Sequence, residues 1–168
     1  MIDQQLINVA LEVRDFLKER QLRLVLAESC TSGLGAVALS QIAGISQFFC
    51  GSAVTYRNAT KSSWLEVSAA DLASSEIGPV SETVARQMVS GVLHATPEAD
   101  IAAAITGHLG PNAPVELDGL AYIGVGNRER IEVQAIRLMS GDDSVDLRRR
   151  RQVEAAQRLL QSVIKWAN

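Results

Sequence analysis

The sequence predicts an α/β fold in three layers, with helices on both faces of one sheet. Three observations predict it. Short apolar and branched runs alternate with segments whose apolar residues recur at helical spacing. Two late β-type runs flank the polar stretch NRER, so one strand of the sheet is expected to run antiparallel to the rest. The 168 residues, 47% of them apolar, suffice to bury a sizeable core in one domain spanning 1–168.

The elements follow in order. Leu6, Val9, Val13 and Phe16 share one face, which predicts an amphipathic first helix. Leu22 to Leu26 reads as a short strand. Leu34, Val37, Ala38 and Ile42 give a second helix with an apolar stripe. Phe48 to Tyr56, rich in aromatic and branched residues, reads as a strand. Asn58 can cap a helix bearing Trp64 and Leu65, and Ala69 to Ser74 reads as a further helical turn or two. After the break at Pro79, Ser81 can cap a helix carrying Val84, Met88 and Val92. Ile101 to Thr106 is a buried run, and residues 107–119 are a loop rich in Gly, Pro and Asn. Leu120 to Gly126 and Ile131 to Leu138 form the hairpin. Val153, Ala156, Leu160, Val163 and Ala167 define a closing helix.

Composition excludes several classes of function. A net charge of −3 offers no electrostatic footprint for nucleic acid. The basic cluster from Arg148 to Arg151 reads first as a solvated helix face. No apolar run approaches the roughly 18 residues that a membrane span requires. The first twenty residues carry charges throughout and show no cleavage-site pattern, so no signal peptide is expected. Two cysteines, Cys30 and Cys50, are too few for a disulfide framework, which makes a reducing cytoplasm the simpler setting. Cysteine and histidine positions form no metal-ligand spacing.

In an open α/β sheet, ligands bind beyond the carboxyl ends of the parallel strands. Three segments leave such ends: AESCTSG (27–33), TYRNATK (55–61) and ITGHLGP (105–111). The first crowds Ser29, Thr31 and Ser32 into one strand-to-helix turn. Hydroxyls there cap helices, but three exceed that need, and Ser29 in a tight turn suits a nucleophile facing helix-start amides. Lys61, one helical turn past the second strand end, is a base if the helix field and burial lower its pKa, or a snorkelling surface lysine if they do not. Tyr56 can hydrogen-bond the substrate or the Lys61 amine, or pack at the strand end with its hydroxyl in water. Cys30 and His108 form a second possible pair, without an evident orienting group.

These motifs, with the VSETVARQM and RRRRQVEAAQRLL helices and AAAITGHLGP, resemble in type and order the CinA C-terminal domain family. The resemblance runs from about Leu6 to Leu160. It implies an α/β/α sandwich around a mixed five-stranded sheet, commonly dimeric, here without the larger molybdopterin-binding-like domain of some relatives. Enzymatic members of the family are nicotinamide-nucleotide amidases. The resemblance therefore implies hydrolysis of the carboxamide of nicotinamide mononucleotide by a Ser/Lys dyad, without metal or other cofactor. Ser29 would be the nucleophile, Lys61 the general base and Tyr56 a supporting hydroxyl. Thr31, Ser32 and Gly33 would frame the turn, and Asn58, Thr106 and Gly107 would line the pocket. The substrate phosphate would meet Arg148 to Arg151 or a helix start.

The sequence departs from the family pattern at three points. Ser32 stands where a second glycine is usual, and His108 where a small residue is usual. The loop after Pro111 reads NAPVELDG instead of a glycine-rich segment followed by Lys-Pro. Retention of Ser29 and Lys61 favours an amidohydrolase. The rewritten loop favours a shifted substrate, or a catalytically silent paralogue that binds a nucleotide or a partner.

Overall fold

The computed structural model describes residues 3–141 and 145–166; Ala167, read as the end of the last helix, lies outside them. The chain runs α1 (Gln4–Arg20), β1 (Leu24–Glu28), α2 (Leu34–Ser40), a 3-10 turn (Ile45–Gln47), β2 (Phe49–Val54), α3 (Asn58–Leu65), α4 (Ala69–Ala73), α5 (Glu82–Ala95), β3 (Ile101–Gly107), β4 (Leu120–Gly126), β5 (Ile131–Arg137) and α6 (Val145–Trp166). The strands form one sheet in the order β2-β1-β3-β4-β5. β1 pairs in parallel with β2 and β3, and β4 runs antiparallel to both of its neighbours, as the hairpin predicts. Among the described residues no helix is long and apolar enough to cross a membrane.

The three layers follow from the two-residue period of the central strands. Leu24 and Leu26 of β1, with Ile101, Ala103 and Ile105 of β3, face a core shared with α1, α2 and α6. Val25, Ala27, Ala102 and Ala104 face the opposite core, with α3, α4 and α5. Both strands are buried on both faces, which is why they read as continuous apolar runs. Gly91 lets α5 cross close to the end of α3, since a Cβ there would lie 1.9 Å from the Leu65 carbonyl oxygen.

Several boundaries differ from expectation. β1 starts at Leu24 and runs to Glu28, two residues later than the apolar pattern alone suggests, because Glu28 and Ala27 continue the ladder. β2 stops at Val54 instead of Tyr56, where the chain turns into α3. Asn58 is the first residue of α3, not its cap. Arg57 holds the cap position, and the Thr60 hydroxyl bonds back to the Arg57 carbonyl at 2.8 Å. α2 buries Gly35, Ala38 and Leu39, which leaves Val37 on its outer side, 47% exposed. Ser81 caps α5 as expected, accepting from the Val84 N–H at 3.2 Å.

Candidate active site

The parallel strands β2, β1 and β3 all end on one side of the sheet, and β1 sits between two strands reached in opposite directions. A crevice opens at such a switch point. Here it is a cavity of about 310 Å³, with Ser29, Tyr56, Asn58, Lys61, Thr106 and Gly107 in its wall. Thus six of the nine residues singled out from the sequence meet in one place. Thr31, Ser32 and Gly33 do not line it; they lie behind Ser29 in the turn.

Backbone ladders fix the reacting pair. The Ser29 N–H donates to the Ile105 carbonyl at 3.1 Å, and the Thr55 N–H donates to the Glu28 carbonyl at 2.8 Å. Lys61 lies in the second turn of α3. Helical side chains lean toward the helix N-terminus, so its stem runs back over the end of β2. Its Nζ lies 2.9 Å from the Thr55 carbonyl oxygen and 2.9 Å from Ser29 Oγ. The interval between Tyr56 and Lys61 is therefore the distance from a strand end to one turn of the next helix. Ser29 is 7% and Lys61 2% exposed. Among the described residues no carboxylate pairs with Lys61, and burial brings its pKa down from 10.5 to about 8. Lys61 is therefore not a surface lysine, and burial is the leading cause of the shift.

The other hydroxyls do not cap α2. Gly33 occupies the cap position with no side-chain bond, and Thr31 Oγ1 is buried without a hydrogen-bond partner among the described residues. Ser32 is exposed and sits in the left-handed region at φ 54°, a conformation that suits the glycine usual there. The capping group is the Glu28 carboxylate, to which sequence reasoning gave no role. Its oxygens accept from the N–H groups of Gly33 (3.1 Å), Gly35 (3.1 Å) and Ala36 (2.9 Å). These helix-start amides are therefore not free to face an oxyanion, contrary to expectation. The Cys30 and Thr31 N–H groups, next along the turn, have no carbonyl or carboxylate acceptor among the described residues; both act on the Cys30 sulfur.

Cys30 also lines the cavity, but burial pushes its thiol up to about 12, so it holds its proton at neutral pH. That removes a Cys30/His108 nucleophile. Tyr56 does not bond Lys61. Its ring is 54% exposed, and its hydroxyl accepts from Arg148 Nη2 at 3.0 Å. Thr106 Oγ1 donates to the Pro79 carbonyl at 2.7 Å and so ties the α4–α5 connection to the end of β3.

The opposite wall is the 108–119 loop, held by α6. The Arg148 to Arg151 run is not a uniform solvated face. Arg149 and Arg150 are exposed, whereas Arg151 is 2% exposed. Arg151 grips Asp118 with both terminal nitrogens, at 2.6 and 2.7 Å, and donates from Nε to the Met139 carbonyl. Arg148 donates to the Gly110 carbonyl and lines the cavity with His108. Among the described residues no carboxylate stands in the wall. Asp118, Gly110 and Tyr56 lie 33, 38 and 92 residues from the arginines that hold them, beyond what local spacing can signal.

The comparisons with known proteins agree with the fold. A profile of the CinA C-terminal domain matches residues 6–164. The nicotinamide-nucleotide amidohydrolase PncC of Enterobacter agglomerans is 37% identical over 147 residues, covering 84% of this chain and 86% of that protein. A CinA-like protein of Crocosphaera subtropica is 39% identical over 138 residues, covering 80% of this chain. The match spans only 32% of that larger relative. Among solved structures, the competence/damage inducible protein CihA from Agrobacterium tumefaciens superposes with a TM-score of 0.89 at 29% identity, over 100% of this chain and 99% of the other. The competence damage-inducible protein A (ComA) from Klebsiella pneumoniae gives 0.85 at 29% identity, over 95% of each chain. Matched along nearly its whole length, the chain belongs to the CinA C-terminal domain family.

Proposed function

We propose that the chain is a Ser/Lys amidohydrolase that converts nicotinamide mononucleotide, or a closely related pyridine nucleotide, to the corresponding acid and ammonia. The observation that carries this reading is the 2.9 Å approach of Ser29 Oγ to a buried Lys61 amine with a pKa of about 8. The relative named as a nicotinamide-nucleotide amidohydrolase supports the substrate class.

In the neutral form, Lys61 accepts the Ser29 proton as Oγ attacks the carboxamide carbon. The N–H of Cys30, which lines the cavity beside Ser29, donates to the tetrahedral oxyanion. Lys61 then returns the proton to the departing nitrogen, the C–N bond breaks, and ammonia leaves an ester on Ser29. Water, deprotonated by Lys61, cleaves that ester and restores the hydroxyl. A wall without carboxylates among the described residues suits an anionic substrate, and Arg148 offers a forked donor to its phosphate.

The test is ammonia release from nicotinamide mononucleotide. The wild type turns over, and Ser29→Ala and Lys61→Ala do not. Arg148→Ala raises KM ~10-fold for the nucleotide and far less for nicotinamide riboside, which lacks the phosphate. A wild type that releases no ammonia from any pyridine nucleotide overturns the substrate. Turnover that survives Ser29→Ala overturns the mechanism.

A further inference from the structure

We propose that Glu28 is a positioning residue for Ser29, clamping the turn that presents the nucleophile; this rests on the Ser/Lys reading above. Glu28 is 0% exposed. A buried carboxylate needs several donors to hold its charge. It finds four: the N–H groups of Gly33, Gly35 and Ala36, and the Ser52 hydroxyl at 3.1 Å. Those donors come from two elements, α2 and β2. The backbone of the same residue joins β2 through the Thr55 N–H, and Thr55 in turn offers its carbonyl to Lys61. Glu28 thus ties together α2, which closes the turn after Ser29, and the strand end that carries the Lys61 contact. A shift of its carboxylate moves the turn, and with it Oγ relative to Nζ.

Capping alone would need only one or two of these bonds. A surface Ser or Asp at the start of α2 could supply them without burying a charge. The clamp also engages the α2 amides, which leaves the Cys30 N–H beside Ser29 to act on the substrate.

Gly35 supplies a probe of this role that keeps the charge. A Cβ there would stand 3.3 Å from Glu28 Oε1 and 3.5 Å from Oε2, so alanine displaces the carboxylate by a few tenths of an ångström. Alanine is also the better helix former, so α2 is retained.

The experiment follows labelling of Ser29 by phenylmethanesulfonyl fluoride alongside ammonia release. In the labelling step the Oγ–S bond forms, fluoride leaves with the S–F electron pair, and Lys61 takes the hydroxyl proton. Glu28→Gln is expected to slow labelling and kcat by ~10–100-fold, and Gly35→Ala by ~3-fold, with KM unchanged. Far-UV circular dichroism and the apparent pKa of the rate stay as in the wild type. If Glu28→Gln does not fold, Gly35→Ala decides. A reactive wild type matched by both variants overturns the role of Glu28 and leaves the dyad standing. A wild type labelled no faster than Ser29→Ala, and releasing no ammonia, overturns the dyad and Glu28 with it.

Discussion

The two walls of the cavity are built in different ways. The wall carrying Ser29 and Lys61 hangs on backbone ladders, Ser29 on Ile105 and Thr55 on Glu28, and the Lys61 amine donates to the Thr55 carbonyl at their end. The facing wall hangs on side chains. Arg151 grips Asp118, and Arg148 reaches the Gly110 carbonyl and Tyr56. Ladders of a sheet buried on both faces cannot change without loss of the core, whereas a loop fixed from a helix can be rewritten at small cost. The difference teaches why a chain can keep Ser29 and Lys61 in contact while the loop facing them departs from the family pattern.

The strongest way to break this comparison is at the ladder-held wall. Lys61→Met should abolish turnover, by ~10³-fold or more, and yet stabilise the fold. The unfolded chain holds the Lys61 proton up to its ordinary pKa of 10.5 and the folded chain only up to about 8, so stability rises with pH between those values. Below pH 8 the whole cost applies, ~3 kcal/mol. Loss of the donor to Thr55 and Ser29 offsets ~1–2 kcal/mol of it. A net gain of ~1–2 kcal/mol at pH 7, or ~3–6 °C in Tm, is expected in a thermal melt. A destabilised Lys61→Met would show that burial of this amine is not costly.

A change in the loop-held wall should act on binding instead. Asp118→Ala removes the carboxylate that the buried Arg151 guanidinium grips and loosens the loop. KM is expected to rise ~5–20-fold with kcat within ~3-fold, read from saturation curves. A fall in kcat with KM unchanged would mean that the loop takes part in the chemistry and that the two walls are not separable. The smallest effect is expected behind the dyad. Ser32→Gly relieves a left-handed residue and should stabilise the fold by up to ~1 kcal/mol with activity unchanged.

Much of this was legible in the sequence. The alternation of strand and helix, the antiparallel hairpin and the convergence of three strand ends follow from period and punctuation, which are local. The position of Ser29 and Lys61 near strand ends was legible because that spacing is local, but spacing alone left Lys61 equally a surface lysine, and only the fold buries it beside Ser29. Glu28 was not, because a carboxylate in a polar turn looks like its neighbours until Gly35, Ala36 and Ser52 are folded around it. Arg151 was misread with its cluster, since only contact with Asp118 separates it from the exposed Arg149 and Arg150. Thr31 and Ser32 were given capping duties that a side chain from the preceding strand performs.

The central claim is that a neutral Lys61 activates Ser29, and the pH dependence of kcat/KM for nicotinamide mononucleotide tests it most directly. The account predicts a tenfold rise per pH unit below neutrality and a plateau above an apparent pKa near the Lys61 value of about 8. A profile that is flat from pH 6 to 9, or that levels off near pH 6.5 as an ordinary histidine would dictate, contradicts it.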